Sequence, residues 1–161
     1  MIIICDTRET KPWRFDVYEG WYTKKEKIDA GDYVAYGHET KICIERKASP
    51  AELALNLGKV SNRDRFEREV VLAKKMFDKF IILCEFSLAD LYGFPKNLDD
   101  KVLNKMKKND TKIRVSGAFI KKVLDEIVEK YNITLVFAGS RQEAQDKAKA
   151  IFAELEKEDL F

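Results

Sequence analysis

An α/β fold, a central sheet with helices on its faces, is predicted for this 161-residue chain by three observations. After residue 50, amphipathic helical patterns alternate with continuous apolar runs of strand length at 80–86 and 133–137. Before residue 50, short strand-like runs are separated by Gly- and Asp-containing turns. Hydrophobic residues at 45% and charged residues at 36% give a core-forming chain with a heavily charged surface, at a length that suits one domain, taken as 1–161.

The elements follow in order. Residues 2–5 read as a buried strand that delivers Asp6 at its carboxyl end, whereas the aromatic, turn-rich stretch 13–21 has no clear period. Residues 26–28, 33–36 and 41–46 have the spacing of an antiparallel meander. Ser49-Pro50 opens a helix through Leu57, with proline in the first turn where its missing donor costs little. Asn62 is a candidate cap for a longer helix striped by Phe66, Val70, Ala73 and Phe77. Runs 80–86 and 133–137 fit interior strands covered on both faces. Between them a helix after Ser116 carries Phe119, Ile120, Val123, Leu124, Ile127 and Val128 on one side. Ser140 and Glu143 make a capping box for a closing helix striped by Ala144, Ala148, Ile151 and Leu155. Residues 93–112, rich in lysine, carry the weakest pattern.

Thirty Lys+Arg against 28 Asp+Glu leave a net charge of +2, so any nucleic-acid site has to come from local clusters. Cys5, Cys43 and Cys84 are odd in number and lack Cys-x-x-Cys spacing, which argues against a disulfide framework or a zinc site and for a reducing compartment. The amino terminus is too short in apolar residues for a signal peptide, and no run approaches a membrane span. A cytoplasmic or nucleoid-associated protein is expected, nuclear in a eukaryote, with no membrane partner.

The chemistry is concentrated in Glu45-Arg46-Lys47, which ends the apolar run 42–44. Side chains two apart on a strand share a face, so Glu45 and Lys47 point together and Arg46 points away, toward a structural or backbone-carbonyl role. Asp32, after the turn-forming Gly31, can converge with Glu45 on a hard divalent cation, with Asp6 as a third carboxylate. Lys47 would offset negative charge building on a phosphate. Each acid also has a bland reading as a turn or strand-end charge facing solvent.

The ordered set Asp6-x-Arg8-Glu9, Gly31-Asp32-Tyr33 and Ile44-Glu45-Arg46-Lys47 closely resembles the nuclease domain of the XPF family, within the restriction-endonuclease-like superfamily. The resemblance implies a central mixed β-sheet flanked by helices and a Mg2+ or Mn2+ dependent endonuclease that cuts branched or flapped DNA in repair and recombination. It also implies a homodimer. Glu52 stands near the family's Asp but one residue further on, and Arg63 with Glu67 stands where the family has an Arg followed four residues later by Gln. These departures leave the roles of Glu52 and Glu67 open. The family's usual tandem helix-hairpin-helix module has no room after Leu155, so a stand-alone nuclease core is expected.

Arg8 and Arg63 are candidate phosphate clamps, because a planar guanidinium grips two oxygens. Glu9 would orient Arg8 or Lys47, or form an ordinary surface salt bridge. Lys105, Lys107 and Lys108 are candidate DNA contacts, with Tyr92 and Phe94 available for stacking, and a solvated loop is the alternative. His38 reads as inert, and Trp13 and Trp21 as cover for the sheet. The terminal Leu160-Phe161 resembles the ending of peptides that dock on bacterial sliding clamps. Two alternatives stand beside the nuclease reading: an inert DNA-binding scaffold and a Holliday-junction resolvase-like enzyme.

Overall fold

Strand β1 (Ile2–Cys5) organises the sheet, pairing in parallel with β2 (Tyr22–Lys25) on one side and antiparallel with β3 (Tyr33–Ala35) on the other. The computed structural model describes residues 1–101, 104–105 and 115–160. Strand β3 pairs antiparallel with β4 (Ile42–Lys47), and β4, β5 (Lys79–Cys84) and β6 (Thr134–Phe137) run parallel. The result is a mixed six-stranded sheet in the order β2-β1-β3-β4-β5-β6. Helices α1 (Pro50–Leu57), α2 (Val60–Met76), α3 (Leu88–Gly93), α4 (Gly117–Tyr131) and α5 (Arg141–Glu158) flank it.

The strand period of two divides the core. Ile4, Val34, Cys43, Ile82 and Cys84 face α1 to α4, whereas Ile3, Tyr33, Ile44, Ile81 and Leu83 face α5 and the aromatic group Trp13, Phe15 and Trp21. Trp13 stacks on Tyr33 at 4.7 Å between ring centroids, so the stretch without a clear period covers the sheet in place of a second helix.

Local chemistry sets the helix starts. Ser49, Ser116 and Ser140 each accept a hydrogen bond on the side-chain oxygen from the amide three residues on, satisfying a first-turn donor. α3, for which the sequence shows no pattern, is defined by a full capping box between Ser87 and Asp90. It lies so close to α4 that a Cβ on Gly117 would come within 1.6 Å of the Leu91 carbonyl oxygen.

Several sequence expectations are corrected. The second strand is Tyr22–Lys25, not 26–28, and it extends the sheet edge in parallel with β1 instead of joining a meander. All four of its residues are exposed, so no apolar alternation marks it, and backbone pairing alone selects it. β6 is an edge strand with half-buried side chains, not an interior one. α2 begins at Val60, and Asn62 donates its side-chain amide to the Leu55 carbonyl at 2.9 Å instead of capping. Phe94 is buried and unavailable for stacking, while Tyr92 is exposed. No helix among the described residues is long and apolar enough to cross a membrane.

Candidate functional site

Along β4, Cys43 enters the core beneath the helices and Ile44 the aromatic core. The alternation continues past the apolar residues, so Glu45 and Lys47 emerge beneath α1 and α2 and Arg46 emerges on the opposite face. Glu45 Oε1 lies 3.2 Å from Lys47 Nζ. The Lys47 amine is almost wholly buried, a state that costs several kcal/mol unless the charge is paired. α1 provides the pairing: Nζ donates to Asn56 Oδ1 at 2.9 Å and lies 3.6 Å from Glu52 Oε1, the two residues being one helical turn apart. The ring of Phe66 covers the ammonium, with its centroid 5.4 Å away. Burial works against the charge, but Glu45, Glu52 and Asp32 outweigh it and raise the Lys47 pKa, so the amine stays protonated at neutral pH.

Asp32 reaches this place through Gly31. The glycine has φ +80°, and a Cβ there would lie 2.1 Å from Cys43 Sγ, so both the turn and the close approach require glycine. The chain then joins both neighbouring strands: Asp32 N donates to Ile44 O at 3.0 Å, and Asp32 O accepts from Asp6 N at 2.8 Å. The carboxylate accepts from the Arg46 backbone amide at 2.7 Å. Burial and then the Glu45 charge push the Asp32 carboxyl up to about 8. Glu45 is likewise raised, first by burial. Asp32, Glu45, Glu52 and Glu69 line one cleft of about 440 Å3, with Asp6 and Arg8 at the same opening.

Asp6 is in the cleft but already engaged. Its Oδ1 accepts from Ile28 N at 2.8 Å, and its Oδ2 accepts from Arg8 Nε at 2.6 Å and Arg8 N at 3.3 Å. Burial opposes the Asp6 charge, but these donors outweigh it and lower its pKa. Among the described residues no three His, Cys, Asp or Glu side chains form a ready cation cage. Asp32 and Glu45 are the pair that could hold a divalent cation, whereas Asp6 would have to release Arg8 or Ile28 to join them. Arg8, fixed also by a 2.9 Å bond to Ile28 O, presents a largely exposed guanidinium at the rim.

Glu9 does not orient Arg8 or Lys47. It binds Arg46 in a two-pronged ion pair, Nε to Oε2 at 3.0 Å and Nη2 to Oε1 at 2.6 Å. Arg46 Nη1 donates to Glu85 Oε1 at 2.5 Å, and Arg141 Nη1 lies 3.2 Å from the same oxygen. Arg46 is therefore structural through side-chain ion pairs, not through backbone carbonyls. Arg141, which carries no motif, holds the 11–12 loop through the Lys11 and Pro12 carbonyls at 3.0 and 2.8 Å.

Arg63 is directed elsewhere: its Nε donates to Leu57 O at 3.1 Å and its guanidinium lies over Phe119 at 5.6 Å, which ties α1 and α2 to α4. Glu67 accepts from Tyr131 Oη at 2.8 Å. The residues that take the cleft side of α2 are Glu69, on the cleft wall, and Arg65, on an adjoining cavity. They share the Arg–Glu spacing of four, two positions further on. The buried stripe Phe66, Val70 and Ala73 contains the signal, since it sets the rotation of α2 and puts 65 and 69 on its flank. Lys105 is exposed and lines neither space, while Lys107, Lys108 and Phe161 lie outside the described residues. His38 Nε2 contacts Asp159 Oδ2 at 3.0 Å, closing the end of α5 onto the β3–β4 turn.

Comparison with known proteins agrees with this geometry. A family model described as the ERCC4 domain matches residues 5–151. XPF from Aeropyrum pernix superposes with a TM-score of 0.65 at 14% identity, over 94% of this chain and 63% of that one. XPF from the same organism in complex with DNA superposes with a TM-score of 0.64 at 14% identity, over 98% and 66%. The chain thus spans just under two thirds of those structures, and at this identity the likeness establishes the fold. No curated protein matches.

Proposed function

The chain belongs to the ERCC4 domain family, and from that premise we propose that it is a Mg2+ or Mn2+ dependent DNA endonuclease acting on branched or flapped duplexes. One observation carries the reading. Asp32 and Glu45 both line one cleft, where burial raises both pKa values, the Glu45 charge adding to it at Asp32 and the Glu69 and Glu52 charges at Glu45, with the Lys47 ammonium in contact with Glu45. Opposed hard oxygens with too little positive charge nearby are a donor set for a divalent cation.

Asp32 and Glu45 would hold that ion. When bound, it supplies Lewis-acid polarisation of the phosphate and activation of water for in-line attack, leaving a 5′-phosphate. The chain's own residues do the rest. Lys47, kept protonated by its acidic neighbours and oriented by Asn56, offsets negative charge as it develops on the phosphate. Arg8, held by Asp6, grips a phosphate at the rim. DNA as the partner is supported by the XPF structure solved with DNA, and the branched substrate by the family. A homodimer belongs to the same reading, as does a sliding-clamp contact through Leu160-Phe161, of which Leu160 is exposed.

Labelled flap DNA incubated with the protein and Mg2+, beside Glu45→Ala, tests the proposal. Cleavage by the wild type alone is expected. Binding without cleavage under Mg2+ or Mn2+ favours an inert scaffold, a reading that draws on Asp6 being engaged by Arg8 and Ile28. Symmetric cutting of a four-way junction in preference to the flap favours a resolvase.

A further inference from the structure

Beside the cleft, between α1 and α2, a smaller cavity of about 200 Å3 is lined by Leu55, Asn56, Asn62, Arg65, Phe66 and Glu69. It adjoins the candidate site at two points. Glu69 lines both spaces, and Asn56 has its Oδ1 on the Lys47 amine while forming part of the cavity wall. The Asn56 side-chain amide nitrogen has no partner among the described residues.

The charges in this cavity are arranged unlike those around it. Arg63 is engaged with Leu57 and Phe119, and Arg8 with Asp6 and Ile28, but Arg65 forms no hydrogen bond or ion pair among the described residues, not even with Glu69 one turn along its own helix. A free guanidinium and a free amide donor line a concave space one side chain from the candidate catalytic amine. Leu55 and Phe66 add an apolar wall.

A nucleic-acid chain carries phosphates at regular intervals, so one held at Lys47 brings the next phosphate within reach of a neighbouring cavity. We propose that the α1–α2 cavity is the subsite for the nucleotide flanking the scissile phosphate, with Arg65 binding the flanking phosphate and Leu55 lying against its sugar. Glu69 on the shared wall repels the phosphate toward Arg65. This assignment rests on the nuclease reading of the cleft and gives that cleft a direction along the strand.

The test replaces, one position at a time, the phosphates flanking the cut by neutral methylphosphonates and measures single-turnover cleavage by the wild type and by Arg65→Gln. Glutamine keeps the helix propensity of an exposed residue that has no partner among the described residues, and a melting curve verifies folding. At one flanking position the wild type slows about tenfold, the worth of a charge-assisted hydrogen bond, and Arg65→Gln, already slowed by the same factor, slows no further there. Losses that multiply at every position, or an unchanged Arg65→Gln rate, overturn the subsite. Equilibrium binding of the same duplex to the Glu45→Gln chain, with and without Arg65→Gln, separates this from the nuclease reading. Loss of one phosphate contact lowers the salt-dependence slope by about 0.9. If the wild type cuts nothing and the slope still falls, only the nuclease reading is overturned. If it cuts while slope and interference pattern ignore Arg65, the subsite alone is overturned.

Discussion

Two charged groups sit back to back at the end of β4, and they are built on opposite principles. On the aromatic side Glu9 and Glu85 are matched by Arg46 and Arg141, with contacts of 2.5 to 3.2 Å and with Arg46, Glu9 and Glu85 nearly buried. On the helix side Asp32, Glu45, Glu52 and Glu69 line one cleft, with the buried Lys47 ammonium against Glu45 and Glu52 and with Arg8, paired to Asp6, at the rim. The first group is neutral and internally satisfied. The second has an excess of negative charge that an incoming cation would neutralise. Arg46 joins the two, its backbone amide holding Asp32 and its side chain holding Glu9 and Glu85. A closed network secures a strand end; an open one is what the proposed cation would complete.

The largest expected effect breaks the balanced side. Arg46→Ala strands two buried carboxylates and should cost about 3 to 5 kcal/mol, read as a lower urea midpoint. A smaller loss would show that Arg141 or water compensates. Glu45→Gln on the open side should lower cleavage about a hundredfold or more, roughly 2.7 kcal/mol of barrier, without lowering the melting temperature, because burial already disfavours the Glu45 charge and Glu52 and Asn56 still hold Lys47. A loss of stability comparable to that of Arg46→Ala would erase the distinction between the two groups.

Divalent metal should raise the melting temperature of the wild type, by about 1.4 kcal/mol of stability at tenfold over its Kd, and not that of Asp32→Asn. The response should grow up to about pH 8, because the proton on the raised Asp32 carboxyl must leave before the ion binds.

Acid titration sets the two groups against each other. Glu9 has a lowered pKa: burial opposes its charge, but Arg46 outweighs it. Its stabilisation is complete above its ordinary value of 4.5 and is lost as pH falls through the lower folded value. Asp32 has the opposite sign. Its raised pKa means the folded state binds a proton that the unfolded state lacks, so its cost, complete above about 8, is relieved as pH falls toward the ordinary 3.8. Glu9→Gln should flatten the acid limb of a stability–pH curve and Asp32→Asn the neutral limb; identical curves would contradict the assignment. The smallest effect is expected for Arg141→Ala, about 0.5 to 1 kcal/mol, since that side chain is half exposed.

Particular residues show how far the sequence could be read. The shared face of Glu45 and Lys47 and the reversed Arg46 follow from the period of a strand. The stripe of α2 and the serine caps were equally legible, being local. Other features were not. Glu9 reads from the sequence as a partner for Arg8 or Lys47, and only the docking of the 6–12 loop beside β4 gave it Arg46. Asp6 reads as a third ligand from the sequence, and the fold adds that its oxygens already accept from Arg8 in its own loop and from Ile28, brought to it by the segment after β2. The spacing of four on α2 fits Arg63 with Glu67 as well as Arg65 with Glu69, and the rotation set by Phe66 on the sheet decided between them.

The sequence by itself determined which residues could carry charge to the end of β4 and on which face each would stand, because backbone geometry imposes those periods without reference to distant chain. Tertiary structure alone decided which charges are neutralised and which remain available, because an ion pair depends on distances of a few ångströms between segments far apart in the chain. Glu9, Arg46, Glu85 and Arg141 become a closed network, and Asp32 and Glu45 an open one, only once the sheet has brought them together.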